Sequence, residues 1–233
     1  MLWFKAWLET RWRFAFLVGM ILLVWLAPLW ITATGVQPGV PPARQWVGIQ
    51  LGSVLLYIFT AIYLAGSGIN SQTLYAATSG FHGSMVFTLS LPVTRRRLLF
   101  ARAGLGALLT LLLIVIMAGY ILHLRPEATS ALQAAAYLTR VIACTMPVYA
   151  LTVLLACLLD EMWQFMGACF FWVFVFMLQS KIEFISRVSP LRALALNCYT
   201  ITAPMPWAPV LTSLVLTGVM LWASVVAVQR KEC

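Results

Sequence analysis

Charge is what this sequence has least of. Only 9% of its residues are charged and just 6 are acidic, where an ordinary soluble domain carries about 25% charged residues. So little charge cannot coat a water-facing surface for 233 residues, which excludes a free-standing soluble domain. Catalytic patterns are missing as well. There is no GxxxxGK[ST] loop to cradle phosphates, so the chain has no such route to binding and hydrolysing ATP. Neither the HExxH zinc pattern nor the GxSxG nucleophile elbow occurs. The two histidines, His82 and His123, lie far apart in sequence, and the acids Glu9, Glu127, Asp160, Glu161, Glu183 and Glu232 fall in or beside loops. An intramembrane enzyme would need paired carboxylates or a Ser/His pair inside its spans, and none is offered. Cysteine is sparse and unpatterned. Cys144, Cys157, Cys169, Cys198 and Cys233 form no CxxC or metal-ligand spacing, and the first three sit in apolar stretches as small core residues. Neither a metal site nor a disulfide framework is expected.

Apolar sequence is what the chain has most of, with 63% hydrophobic residues and a mean hydropathy of +0.95. A helix needs about 20 mostly apolar residues to cross the hydrocarbon core. Six runs approach that length, at about 14–33, 46–67, 103–123, 134–158, 162–179 and 207–228. The expected fold class is therefore an all-α integral membrane protein, a single transmembrane domain over 1–233. Ahead of the first run, residues 2–13 read as an interfacial helix. Lys5, Glu9 and Arg13 share one face at i, i+4 and i+8, opposite Trp3, Phe4, Trp7 and Leu8. The length and tryptophan content of the first run argue against a cleaved signal peptide.

A net charge of +9 would suggest nucleic acid in a soluble protein. Here the basic residues gather between apolar runs and read as topology signals, so no nucleic-acid partner is expected. With both termini inside, nine basic residues fall inside, among them Lys5, Arg11, Arg13, Arg95, Arg96, Arg97, Arg102, Arg230 and Lys231. Five fall outside: Arg44, Arg125, Lys181, Arg187 and Arg192. The positive-inside rule then favours a multi-pass protein of the cell's inner (plasma) membrane with both termini cytoplasmic. Arg140 lies within the fourth run, near enough to its outer end to snorkel to the headgroups.

Two patterns carry candidate function. Gln50, Ser53, Tyr57 and Thr60 step by three, four and three along the second run, which puts them on one helical face. With Gln164 of the fifth run they form a candidate substrate pathway, or else hydrogen-bond between helices. The other pattern is Met85–Leu91, an apolar run too short to cross a membrane and too apolar for water, closed by Pro92 and followed by arginines. A short apolar helix held at the cytoplasmic face should dock on something, or else lie as an interfacial segment beside the bilayer.

The stretch Thr88-Leu-Ser-Leu-Pro-Val-Thr-Arg-Arg-Arg-Leu-Leu-Phe-Ala-Arg102 resembles the loop between the second and third spans of ABC-2 type transporter permeases. The layout is similar too: an N-terminal interfacial helix, six spans, and a long segment before the last. The chain departs from the family pattern before the loop, where it has His82 in place of a frequent glutamate. The resemblance implies that 80–94 is a cytoplasmic coupling helix seated on a separate ATP-binding cassette subunit through Gly83, Phe87, Thr88, Leu91 and Pro92. It implies a second, smaller contact at Asp160 and Glu161. The implied function is the permease subunit of an ABC exporter for a hydrophobic or amphipathic substrate, not itself an enzyme. ATP and Mg would sit in the partner subunit, with no cofactor in this chain. A second permease subunit, as homo- or heterodimer, and membrane lipids would be its other partners. The alternative is a non-transporting membrane anchor or sensor for a cytoplasmic ATPase.

Overall fold

A computed structural model describes residues 2–33, 54–65, 95–123, 130–159, 161–197 and 205–230. The described residues are helical apart from short connections and contain no strand. We number the helices α1 (Leu2–Ala33), α2 (Val54–Leu64), α3 (Arg95–His123), α4 (Ala131–Leu158), α5 (Glu161–Lys181), α6 (Glu183–Val188), α7 (Pro190–Asn197) and α8 (Trp207–Arg230). Among the described residues, three helices are long and apolar enough to cross a membrane: Leu99–His123 within α3, all of α4, and all of α8. The apolar stretches of α2 and of Trp163–Gln179 in α5 are shorter. The described residues are thus all-helical apart from their connections and compatible with a multi-pass membrane protein.

Side-chain contacts fix how the helices run. The Trp3 indole lies against Gly104 near the start of α3, while Trp25 stacks on Tyr120 near its end, with ring centroids 4.2 Å apart. Hence α1 and α3 are parallel. The α2 C-terminus meets α3 at Gly106 and α5 at Gln164. Tyr149 of α4 bonds to Ala103 of α3, so α4 finishes beyond the start of α3. Leu99 and Val225 line one cavity, so α8 also ends there. One end of the bundle therefore gathers the starts of α1, α3 and α5 and the ends of α2, α4 and α8. Arg95, Arg96, Arg97 and Arg230 mark it in sequence, and we call it the arginine end.

Helix α4 is the central element, and most of its apolar length is buried. It starts with a capping box: Ser130 Oγ accepts from the Gln133 amide at 3.3 Å, and Gln133 Oε1 accepts from the Ser130 amide at 3.1 Å. Both donors would otherwise be orphaned at a helix start. Hydroxyls along the apolar helices are hidden by bonds to their own backbone. Thr145 and Thr152 donate to carbonyls one turn back at 2.7 and 2.8 Å, and Ser213 and Ser224 do so at 2.6 and 2.8 Å. Such bonds satisfy polar groups where no water competes.

Three features depart from the sequence reading. Helix α1 is continuous through residues 13 and 14, where an in-plane helix would have to turn into a span. The segment has no glycine or proline between Leu2 and Val18, and Ala6, Thr10, Leu17 and Ile21 form one buried stripe across the junction. Arg140 does not snorkel. It is 1% exposed, the largest fully buried side chain, because it lies on the inward face of the most enclosed helix, between buried Tyr137 and Cys144 one turn to either side. Within the long segment before the last run, residues 183–197 form two short helices that the sequence reading left unassigned. Pro190 opens α7 at the position prolines favour, Ser189 Oγ donates to Gln179 Oε1 at 2.8 Å, and Leu191, Ala193 and Leu194 are buried. The α6–α7 pair is thereby packed into the bundle, Leu194 sharing a buried cluster with Val141 and Cys144.

Candidate functional site

Helix α2 stops inside the protein, so its last carbonyls need donors. Gln164, in the first turn of α5, supplies one: its Nε2 donates to Ala65 O at 2.8 Å, and the side chain is 6% exposed. The carbonyl of Leu64 lies directly over Gly106 of α3, where a Cβ would come within 2.6 Å of it and also within 2.6 Å of Tyr149 Oη. That hydroxyl donates to Ala103 O at 2.5 Å. Four helices, α2, α3, α4 and α5, are thus tied at one level near the arginine end. Small residues at such crossings let backbones approach closely.

Beside this junction is a cavity of about 200 Å³ lined by Arg13, Ile62, Tyr63, Gln164 and Phe165. The Arg13 guanidinium lies over the Tyr63 ring at 5.6 Å from its centroid. A guanidinium on an aromatic face is favourably placed, and the arrangement brings the N-terminal helix onto the end of α2. A second, larger cavity of about 340 Å³ lies between α3, α4 and α8.

The sequence-derived sites fall as follows. Tyr57 and Thr60 are buried on the packed face of α2, at 1% and 0% exposure, and line neither of these two cavities. Gln50 and Ser53 lie outside the described residues. Gln164 does face a cavity, yet its amide is committed to the end of α2. Gly83, Phe87, Thr88, Leu91, Pro92 and Asp160 lie outside the described residues, and Glu161 is the first residue of α5. Sequence reasoning missed Gly106, Tyr149 and Arg13 as junction residues. The Gly104–Gly106 pair inside an apolar helix was the available signal for a close crossing. Among the described residues no three His, Cys, Asp or Glu side chains could hold a metal ion, and Cys144 and Cys169 are free thiols. What the described residues form at this level is a linkage of helix ends. Comparison with protein-family models, with curated proteins and with solved structures gives no match.

Two substitutions separate bonded from merely buried polar groups. Gln164→Leu strands the Ala65 carbonyl and should cost about 0.6–1.7 kcal/mol, the range for hydrogen bonds between membrane helices. Thr60→Val removes a hydroxyl that has no hydrogen-bond partner among the described residues, so stability should hold level or rise. Thermal unfolding in detergent measures both. A loss at Thr60→Val as large as at Gln164→Leu would mean that the Thr60 hydroxyl is held by a bond in the flanking segments.

Proposed function

We propose that this chain is a membrane permease subunit of the ABC-2 type, with six spans and both termini in the cytoplasm. It would act as a dimer with separate ATP-binding subunits to export a hydrophobic or amphipathic substrate. One observation carries this reading. The chain leaves α2 and re-enters at α3 on the same end of the bundle, and the turn from α4 to α5 is at that end too. The described residues that flank the two segments resembling ATPase contacts, 80–94 and 160–161, therefore lie at one end of the bundle. The junction at Gly106 and Gln164 lies just beneath it, so a push on 80–94 would reach α2, α3 and α5 together. In this mechanism ATP-driven closure of the partner subunits pulls on Met85–Leu91, and the tied helices tilt to expose the pathway to the other side.

Sidedness tests the layout. In a cysteine-free background, Arg96→Cys and Phe184→Cys should label from opposite sides of the membrane. Phe184 is chosen because it is 74% exposed, whereas the neighbouring Ser189 is 3% exposed. Labelling of both from one side would end the six-span reading. The energy source is tested separately: the purified chain alone should hydrolyse no ATP, and saturable turnover by the isolated subunit would refute a partner-driven permease.

The anchor reading draws on the burial of Tyr57 and Thr60, which suits helix packing as well as a path. It is separated by transport itself. Loss of cargo movement in Thr60→Val at unchanged stability belongs to a permease, whereas an anchor moves no cargo in any variant.

A further inference from the structure

We propose that α4 is a hinge, bending at Pro147 so that the arginine end of the bundle swings as one body against the rest. Pro147 is buried inside α4. Proline has no amide hydrogen, so the Ala143 carbonyl one turn back loses its helical donor, and the ring crowds that carbonyl. Sharp bends in helices fall at such prolines. Threonines flank it on both sides. Thr145 donates to Val141 O at 2.7 Å and Thr152 to Val148 O at 2.8 Å, and hydroxyl bonds of this kind bend a helix further. The weakened turn lies in the middle of the most enclosed helix, where the whole bundle feels a bend.

The buried core divides at the same place. Tyr137, Val141 and Cys144 of α4 belong to one cluster, shared with Leu17 of α1 and with Leu109 and Leu113 of α3. Val148, Val153 and Cys157 belong to a second, shared with Leu99 of α3, Trp172 of α5 and Val228 of α8. Cys144 and Val148 lie one turn apart on one face, yet in different clusters, and Pro147 falls between them. Helices α2 and α7 contribute to both clusters and bridge the seam. Close-packed interiors shift as units and do not deform continuously, so a bend is cheapest along such a seam. Two further contacts set the pivot and the room. Tyr149, two residues beyond Pro147, is bonded to Ala103, which holds the fulcrum against α3. On the side of Met146, Tyr149 and Val153, α4 faces the cleft of about 340 Å³ in place of a packed neighbour. From Pro147 to Leu158 the helix is about 17 Å long, so a bend of about 20° carries its tip through roughly 6 Å. This inference rests on helix packing alone and holds whether or not the chain transports.

Spin labels on Arg97→Cys and Leu158→Cys test it, in an otherwise cysteine-free full chain in lipid bilayers. Both positions are exposed at the arginine end, and α3, which contains no proline, is the fixed reference. With Pro147 in place the distance distribution should spread over roughly 6 Å. Pro147→Ala restores the amide and should collapse the distribution to one narrow peak. Hydrogen exchange followed by mass spectrometry gives a second readout on the unlabelled native chain. Amides of residues 148–151, whose helical bonds cross the bend, should exchange faster than those of 137–144. Pro147→Ala should slow them roughly tenfold, as one restored hydrogen bond implies. Should Pro147→Ala fail to fold, Thr217→Phe serves in its place: it fills the cleft from α8 and should narrow the same distribution without touching α4. A single narrow peak with Pro147 in place would mean a fixed kink and overturn the proposal. So would exchange at 148–151 no faster than at 137–144.

Discussion

Gly106→Ala should be among the most damaging single substitutions in the membrane-embedded part, and Gly106→Val worse. The added Cβ would sit 2.6 Å from the Leu64 carbonyl oxygen and 2.6 Å from Tyr149 Oη, closer than atoms tolerate. Neither neighbour yields easily. One is backbone at the end of α2, and the other is held by its 2.5 Å bond to Ala103 O. Overpacking of this kind costs about 1–3 kcal/mol, and retreat of α2 would also weaken the Gln164–Ala65 bond. Tyr149→Phe should rescue part of the loss in Gly106→Ala, because it removes one of the two clashing atoms. Gly119→Ala and Gly218→Ala are the controls. Beyond the local backbone of its own helix, no described heavy atom lies within 4 Å of a Cβ at either position, so the helix preference for alanine should make them neutral or stabilising by up to about 1 kcal/mol. Unfolding midpoints and membrane yield measure the series. Equal behaviour of all three glycines would mean that α2 and α3 do not cross at Gly106.

Much of the helical architecture was legible because lipid imposes a length. The apolar runs at 134–158 and 207–228 correspond to α4, Ala131–Leu158, and α8, Trp207–Arg230. Their ends differ by a few residues, as capping groups such as Ser130 extend a helix past its apolar part. What hydropathy could not show is where a residue points once helices associate. Arg140 looked near enough to the surface to snorkel, but depth along one helix says nothing about neighbours on every side. The α6–α7 pair was hidden for a similar reason. Its residues are mixed in polarity because α7 packs on α4, and α6 on α5 and α8, along part of their surface only, so a hydropathy window averages them away. Of the candidate pathway, Gln164 was legible as an inward-facing polar group, though its role as the donor to the end of α2 depends on a residue 99 positions away. No local pattern carries that pairing.

The central claim is that 80–94 docks an ATP-binding subunit, and the substitution pair Phe87→Ala with Leu91→Ala should have the largest functional effect. These side chains are four residues apart, so a helix places them on one face as paired anchors. Anchors at interface centres are commonly worth about 2 kcal/mol or more each, so losing both should weaken docking roughly a thousandfold. Neither residue lies in an apolar run long enough to span, so the membrane part should keep its unfolding midpoint. Pro92→Ala should act differently. Proline ends a helix and fixes the direction of the chain that follows, so this variant should keep the ATPase bound while ATP turnover drives less movement of the spans. Arg95–Arg97 should matter less to docking, because anionic headgroups can satisfy them. The decisive measurement is copurification of the ATP-binding subunit with the native chain and with the Phe87→Ala, Leu91→Ala variant, solubilised side by side from the same membranes. The account predicts an ATPase retained by the native chain and lost from the variant at equal yield of folded membrane protein. An ATPase retained in full by the variant, with its turnover stimulated as before, would contradict it.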